Sequence, residues 1–147
     1  MDPKSALDWI VLLTPLTTGF VSGWIVGDMS ESAVDVNARP PGWVFGVVWS
    51  ILYLMIGFAW VTMRREGKWI NILMMLLVAS LVAWLFIYDE SEQSGLYAIV
   101  FTILFAMLVF TYTLKSSDKK YTPYLIVPLI VWLLFATMLN FEEVNNL

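Results

Sequence analysis

The chain contains no cysteine and no histidine among its 147 residues. The lack of cysteine excludes disulfides, zinc–thiolate sites, iron–sulfur clusters and cysteine nucleophiles. The lack of histidine removes the commonest metal ligand and the commonest acid–base group of enzymes. We therefore expect no metal site, no catalytic residues and no obligatory cofactor.

Charged residues are also scarce, at 14% of the chain against roughly 25% in a soluble domain. Hydrophobic residues make up 60%, more than a water-soluble globule of this length can bury. The net charge is −4, and no lysine and arginine cluster is dense enough to indicate nucleic-acid binding. The composition predicts an integral membrane protein in contact with the lipid bilayer, and the length predicts one domain, residues 1–147.

Five continuously apolar runs are long enough for a bilayer core, which needs about 20 residues of helix. These runs are residues 7–27, 42–63, 69–88, 95–114 and 121–141. Helices satisfy their own backbone in lipid, and the runs lack the alternation of barrel strands. The sequence therefore predicts an all-α integral membrane protein, a bundle of five transmembrane helices.

Lysine and arginine are distributed unevenly between the two sides that five spans define. Seven of the eight fall on the side of the N-terminus, and only Arg39 falls on the other side. Cytoplasmic loops carry the excess of such residues. We therefore expect a multi-pass protein with its N-terminus on the cytoplasmic side and its C-terminus on the opposite side. The first loop, residues 28–41, is the longest and is the natural lid of any site.

The interiors of the predicted spans hold no charged residue, which argues against ion pumps, proton relays and retinal proteins. Small residues instead recur at helical spacing, and such faces allow helices to approach closely. For Gly19, Gly23 and Gly27 we favour packing within the bundle. For Ala79 and Ala83, the seam of a homodimer remains an alternative.

Eight tryptophans are present, an unusually high number for this length. Trp43 lies near a span end, as in an aromatic belt at the membrane interface, whereas Trp49, Trp84 and Trp132 lie deeper. Trp49 shares a helix face with Tyr53. One face of the fifth span carries Trp132, Phe135, Ala136, Leu139 and Asn140. An aromatic face inside a bundle is either core packing or a surface on which a flat apolar ligand stacks.

Two segments resemble a known family. Residues 40–53, PPGWVFGVVWSILY, are similar to the PP-x-W-V-F-x-x-V-W-x-x-L-Y motif of the translocator protein family, also called the peripheral benzodiazepine receptor or tryptophan-rich sensory protein family. Residues 128–140, PLIVWLLFATMLN, are similar to the motif of its last helix. The length and the five spans agree with this family.

The resemblance implies a five-helix bundle, often a homodimer, with a pocket inside each monomer under the first loop. The family binds tetrapyrroles such as protoporphyrin IX, and in animals also cholesterol and synthetic isoquinoline or benzodiazepine ligands. By motif, Trp49 and Trp132 correspond to aromatic pocket walls. The helix-five side would be lined by Phe135, Ala136 and Leu139, and the lid would be placed by Pro40, Pro41 and Trp43.

The chain diverges from the family in four places, one of which is Leu129, where the family has a tyrosine after the proline. The first loop has no tryptophan before the double proline, and the third span has Trp84 but not the family's asparagine. The segment after Asn140, FEEVNNL, lacks the tyrosine and the basic residue of the animal sterol-recognition segment. The resemblance therefore favours a tetrapyrrole over a sterol.

Three functions are compatible with these features. The first is a receptor or carrier with a regulatory or stress-related role, in which a metal-free porphyrin stacks on Trp49 and Trp132. In this hypothesis Arg39 pairs with a propionate, although it can equally be a solvated loop residue. Asn140 either caps its helix or bonds the ligand. The second function is photo-oxidative degradation of porphyrin, and the third is a ligand-free structural or regulatory membrane subunit.

Overall fold

The structure is a computed structural model that describes residues 5–26, 42–116 and 120–145. Within these ranges it contains five α-helices and no strand. They are α1 (Ala6–Val26), α2 (Gly42–Met63), α3 (Lys68–Glu90), α4 (Glu92–Ser116) and α5 (Thr122–Asn145). Each helix is long and apolar enough to cross a membrane. The predicted fold class is confirmed: the chain is an all-α, multi-pass integral membrane protein.

The helices pack as a ring in the order α1, α2, α5, α4, α3, and α3 meets α1 again to close it. Successive helices run in opposite directions. One end of the bundle therefore carries the C-terminal ends of α1, α3 and α5 and the N-terminal ends of α2 and α4. We call this the loop-1 end, since the first loop joins α1 to α2 there, and we call the other the opposite end.

Glycines allow α1 and α2 to approach closely. A Cβ atom on Gly57 would overlap the backbone oxygen of Leu12, and one on Gly19 would overlap the ring of Tyr53. Gly19 therefore packs within the bundle. The side chains of Ala79 and Ala83 are exposed on the outer face of α3 and do not serve the packing of the described helices.

A single residue, Ser91, separates α3 from α4 at the loop-1 end. Its N–H donates to the carbonyl oxygen of Ile87 at 3.0 Å, and its Oγ accepts from the N–H of Ser94 at 3.3 Å. A Cβ atom on Gly95 would lie 2.9 Å from the Cα of Tyr88. Because glycine removes that overlap, the turn stays tight and holds Tyr88 in the bundle interior.

An ion pair joins α1 to the end of α2 at the opposite end. Asp8 is buried, and its Oδ1 accepts from Nη2 and Nε of Arg64 at 2.8 and 3.0 Å. Its Oδ2 lies 3.5 Å from Nη2 of Arg65. The N–H of Asp8 also donates to Ser5 Oγ at 3.2 Å, which caps the start of α1.

The fifth helix is longer than the predicted span. It continues to Asn145 rather than ending near residue 141, so the expectation that Asn140 ends the helix is wrong. The inward face of the helix continues at helical spacing through Ala136, Asn140 and Glu143, all of which are buried. The extra turn places Glu143 against Tyr88, whose hydroxyl is hydrogen-bonded to its carboxylate. The hydrogen bond with Tyr88 therefore lowers the free-energy cost of burying Glu143 in this part of α5.

Candidate functional site

A cavity of about 350 Å³ lies at the loop-1 end between α1, α2 and α3. Ligand pockets in proteins span roughly 300–1,000 Å³, so this cavity is large enough for a small molecule. Its wall is mainly apolar and aromatic. The larger lining side chains are Leu16, Phe20, Trp24, Phe45, Trp49, Tyr53, Leu81, Trp84 and Leu85.

A continuous row of aromatic rings borders this cavity. Tyr53 stacks on Trp49 with 5.5 Å between ring centroids and 30° between planes. Trp49 lies 6.0 Å from Trp84 at 36°, and Trp84 lies 5.7 Å from Tyr88 at 41°. These tilted geometries suit the quadrupoles of aromatic rings, which disfavour face-to-face sandwiches. Tyr53, Trp49 and Trp84 line the cavity and present an aromatic surface to it, whereas Tyr88 continues the row beyond the cavity.

Two glycines keep the cavity open. A Cβ atom on Gly23 of α1 or on Gly46 of α2 would find no heavy atom within 4 Å, and both glycines line the cavity. A larger side chain at either position would therefore enter the cavity rather than collide with a neighbouring helix. Gly19, one turn before Gly23, differs because the ring of Tyr53 occupies the space beside it.

The cavity opens near the C-terminal end of α1. Phe20 and Trp24 both line it, yet they are 61% and 87% exposed. These residues lie in the last two turns of α1, just before the first loop. The predicted lid residues Pro40 and Pro41, and Arg39 beside them, lie outside the described residues.

The indole N–H of Trp84 is the notable polar group of the site. Trp84 is only 5% exposed, and its Nε1 finds no hydrogen-bond acceptor in the described part of the chain. A buried donor without a partner costs about 1–3 kcal/mol. Ser50 Oγ, also in the lining, donates to the carbonyl oxygen of Gly46 at 2.7 Å. The cavity thus offers a ligand an aromatic surface, and the Trp84 N–H lies buried in its wall.

A second, smaller cavity of about 30 Å³ lies between α2, α3 and α5. Phe45 and Trp84 line both cavities and form the partition between them. The small cavity is otherwise bordered by Tyr88, Ala136, Leu139, Asn140 and Glu143. Its lining includes a carboxylate, a phenol and an amide.

The structure distributes the predicted site residues over both cavities and the wall behind them. Trp49, Tyr53 and Trp84 line the large cavity, and Ala136, Leu139 and Asn140 line the small one. Trp132 meets Trp49 edge-on at 6.4 Å and Phe45 at 5.7 Å, and Phe135 packs on Trp132 at 5.2 Å. Trp132 and Phe135 therefore pack behind the side chains that line the large cavity, and neither belongs to the lining of either cavity.

One other predicted residue does not join the cavities. Trp43 is 72% exposed at the start of α2 and lines neither cavity. Its position at a helix end suits the aromatic belt of a membrane interface. Arg39 lies outside the described residues.

Sequence reasoning missed the contribution of α1. Phe20, Gly23 and Trp24 form one side of the large cavity, although only the glycine stood out by its spacing. Hydropathy offers no signal for the two aromatic residues, because a lipid-facing and a cavity-facing side chain are equally apolar. Glu143 was also missed, because it was placed beyond the end of the fifth span.

The described residues contain no group of three or more histidine, cysteine, aspartate or glutamate side chains that could hold a metal ion. The lining of the large cavity likewise contains no carboxylate, lysine or histidine. Its arrangement suits non-covalent binding of an apolar molecule by stacking and burial.

Known proteins with similar sequences identify the family of this five-helix bundle. The sequence model of the TspO/MBR family matches residues 10–144. The tryptophan-rich protein TspO of Chlorobaculum tepidum is 32% identical over 74% of this chain and 72% of its own length. The tryptophan-rich protein TspO of Archaeoglobus fulgidus is 29% identical over 69% of each chain. The family match covers nearly the whole chain, from the second turn of α1 to the last turn of α5, and the chain therefore belongs to the TspO/MBR family.

Proposed function

We propose that this protein is a membrane receptor or carrier for a flat hydrophobic ligand of the tetrapyrrole class, such as protoporphyrin IX. The observation that carries the proposal is the row of aromatic rings along a cavity of about 350 Å³. A planar macrocycle gains both apolar burial and stacking against Trp49 and Trp84. Such ring contacts contribute about 0.5–1.5 kcal/mol each beyond the area that they bury.

The mouth of the cavity suits the polar edge of such a ligand. Phe20 and Trp24 line the cavity in the last two turns of α1, close to the end of the bundle, and both are exposed. The propionates of a porphyrin would remain at this end while the ring enters between the helices. Arg39 is the one cation that the sequence assigns to this side, and we propose it as a partner of a propionate.

We further propose a regulatory role for ligand occupancy. Among the described residues, the lining of the large cavity holds no carboxylate, lysine or histidine. The proposed activity is binding, with the output carried by the occupied state of the bundle.

The test is a titration of the detergent-purified protein with protoporphyrin IX, followed by quenching of tryptophan fluorescence. We expect saturable binding at micromolar concentrations. Trp49→Phe and Trp84→Phe should each raise the Kd about three- to tenfold, the loss of one good ring contact. Trp69→Phe is the matched control, because Trp69 is exposed at the opposite end of the bundle. Quenching that never saturates, or equal effects of all three substitutions, would refute the proposal.

A further inference from the structure

The two glycines that keep the large cavity open lie opposite each other on α1 and α2. These helices run antiparallel, and Leu12 of α1 lies against Gly57 of α2. About three turns from this contact towards the loop-1 end, α1 carries Gly23 and α2 carries Gly46. An added Cβ atom on Gly57 would overlap the backbone of Leu12, whereas one on Gly23 or Gly46 meets no heavy atom within 4 Å. The two helices are therefore in close contact at one level and separated at the other.

The closed part of this interface lies towards the opposite end of the bundle. The ring of Tyr53 occupies the space beside Gly19 and closes the interface there. Further along, Asp8 of α1 accepts two hydrogen bonds from Arg64 at the end of α2. The separation of the helices is thus confined to the half of the interface nearer the loop-1 end.

The depth of the open part shows what lies outside it. With 21 residues, α1 is about 31 Å long, close to the roughly 30 Å of a bilayer core. Phe20 lies about 9 Å along the axis from the end of α1 at Val26, and it both lines the cavity and is exposed. Gly46 is also exposed in the lining, about 6 Å from the start of α2. Groups exposed on the side of a spanning helix at this depth face acyl chains.

From these observations we infer that the large cavity opens sideways, between α1 and α2, to the acyl chains of the leaflet at the loop-1 end, and that its ligand enters from that leaflet. We call this opening the side gap. It is bounded by Phe20 and Gly23 on α1 and by Gly46 and Ser50 on α2.

The border of the side gap is compatible with lipid. Gly23 and Gly46 lie within helices, which satisfy their backbone groups internally. The hydroxyl of Ser50 donates to the carbonyl oxygen of Gly46 at 2.7 Å, so it also has its partner within α2. Phe20 adds an aromatic ring to the border. These four residues therefore suit contact with hydrocarbon better than a channel of water.

Entry through the side gap agrees with the chemistry of a flat hydrophobic ligand. Apolar molecules partition from water into the bilayer, so the membrane holds most of such a ligand. A planar ring that passes edge-on between Gly23 and Gly46 meets the rings of Trp49 and Trp84 in the cavity wall. This inference rests on the proposed use of the large cavity as a ligand site, and it adds the membrane as the source of the ligand.

The test is photocrosslinking of the full chain in phosphatidylcholine vesicles. A fraction of the lipid carries a diazirine in one acyl chain, and mass spectrometry locates the adducts. We expect adducts on Leu81 and Leu85, which line the cavity from α3, on the wall opposite the side gap. Leu77 is the internal control, because it is buried one turn before Leu81 and lines neither cavity. It should remain unmodified.

A pair of variants locates the route of the acyl chain. Gly46→Leu should reduce the adducts on Leu81 and Leu85 at least tenfold, since the new side chain enters the cavity at the side gap. Adducts on Phe86, which is exposed at the same depth of α3, should persist. Ala79→Leu is the matched control and should leave all of these adducts unchanged, because Ala79 is exposed on the outer face of α3.

A second measurement tests entry of the ligand itself. The probe is a phosphatidylcholine with a porphyrin at the end of one acyl chain, which holds the porphyrin in the bilayer. Like free protoporphyrin IX, it should suppress the adducts on Leu81 and Leu85. Suppression by the free porphyrin alone would overturn entry from the leaflet.

The outcomes separate this inference from the proposed function. Adducts confined to outward-facing residues of the unmodified protein would overturn the side gap, whether or not Gly46→Leu folds. If protoporphyrin IX still binds saturably in that case, the proposed function stands. If the adducts on Leu81 and Leu85 form but protoporphyrin IX neither binds nor suppresses them, the sideways opening stands and the proposed function fails.

Discussion

The indole rings of Trp49 and Trp84 lie 6.0 Å apart with their planes inclined by 36°, and both border the large cavity. This contact connects a segment that resembles the family motif with a segment that differs from it. Trp49 belongs to the double-proline segment, whereas Trp84 lies in a third helix without the family's asparagine. Because the two rings meet, the altered α3 still contributes an aromatic wall to the site.

We predict that Gly19→Ala destabilises the protein. The added methyl group would overlap the ring of Tyr53, which stacks on Trp49 at 5.5 Å. Overpacking of this kind costs about 1–3 kcal/mol, and displacement of Tyr53 alters the cavity wall. Gly23→Ala is the matched control, since it lies one turn further along α1 and faces open space. Thermal unfolding in detergent should show a lower midpoint for Gly19→Ala alone, and equal midpoints for the two variants would contradict the assigned packing.

We predict that Asp8→Asn loosens α1 from α2 at the opposite end. The substitution removes the charge that accepts two hydrogen bonds from Arg64, and a hydrogen bond to a charged group contributes about 1.5–3 kcal/mol. Arg65 is largely exposed and should contribute little. The comparison is Asp89→Asn, whose side chain is exposed at the end of α3. A double-mutant cycle of Asp8→Asn with Arg64→Gln should give a coupling energy, and additive losses of stability would show that the pair is not coupled.

We predict that the N-terminus faces the cytoplasm. Arg64, Arg65, Lys68, Lys115 and Lys120 all lie at the opposite end of the bundle, and cytoplasmic loops carry such an excess. The absence of cysteine makes single-cysteine labelling direct. In intact cells, a membrane-impermeant maleimide should label Glu90→Cys at the loop-1 end and should reach Lys120→Cys only after the membrane is broken. The reverse pattern would invert the topology.

Much of the fold follows from the sequence because bilayer helices carry a strong and local signal. The start of α2 and its end at residue 63 match the predicted span, since apolar runs bounded by charges define such segments. The end of α5 was misplaced because Glu143 looks like the beginning of a polar tail. Its burial depends on Tyr88, which is 55 residues away in the sequence. No local pattern contains that pairing.

The site was less accessible to sequence reasoning than the fold. Trp49 and Trp132 are equally prominent in the motifs, yet only Trp49 lines the large cavity, while Trp132 supports it edge-on from behind. Phe20 and Trp24 are as apolar as lipid-facing residues, so the sequence does not distinguish the two environments. Only the position of α1 beside α2 and α3 shows that these side chains line the cavity. Whether an aromatic side chain lines the cavity or packs behind the lining depends on the rotation of its helix about the helix axis. Composition does not determine that rotation.

The most direct test of ligand binding in the large cavity is to fill it. Gly46→Leu places an isobutyl group where an added Cβ meets no atom within 4 Å, so the helices need not move. Ala79→Leu adds comparable bulk on the exposed outer face of α3 and serves as the control. Absorbance titration with protoporphyrin IX should show at least a tenfold weaker affinity for Gly46→Leu, with unchanged thermal stability, and unchanged affinity for Ala79→Leu. Binding by a folded Gly46→Leu variant as tight as that of the unmodified protein would place the ligand elsewhere and contradict the proposed site.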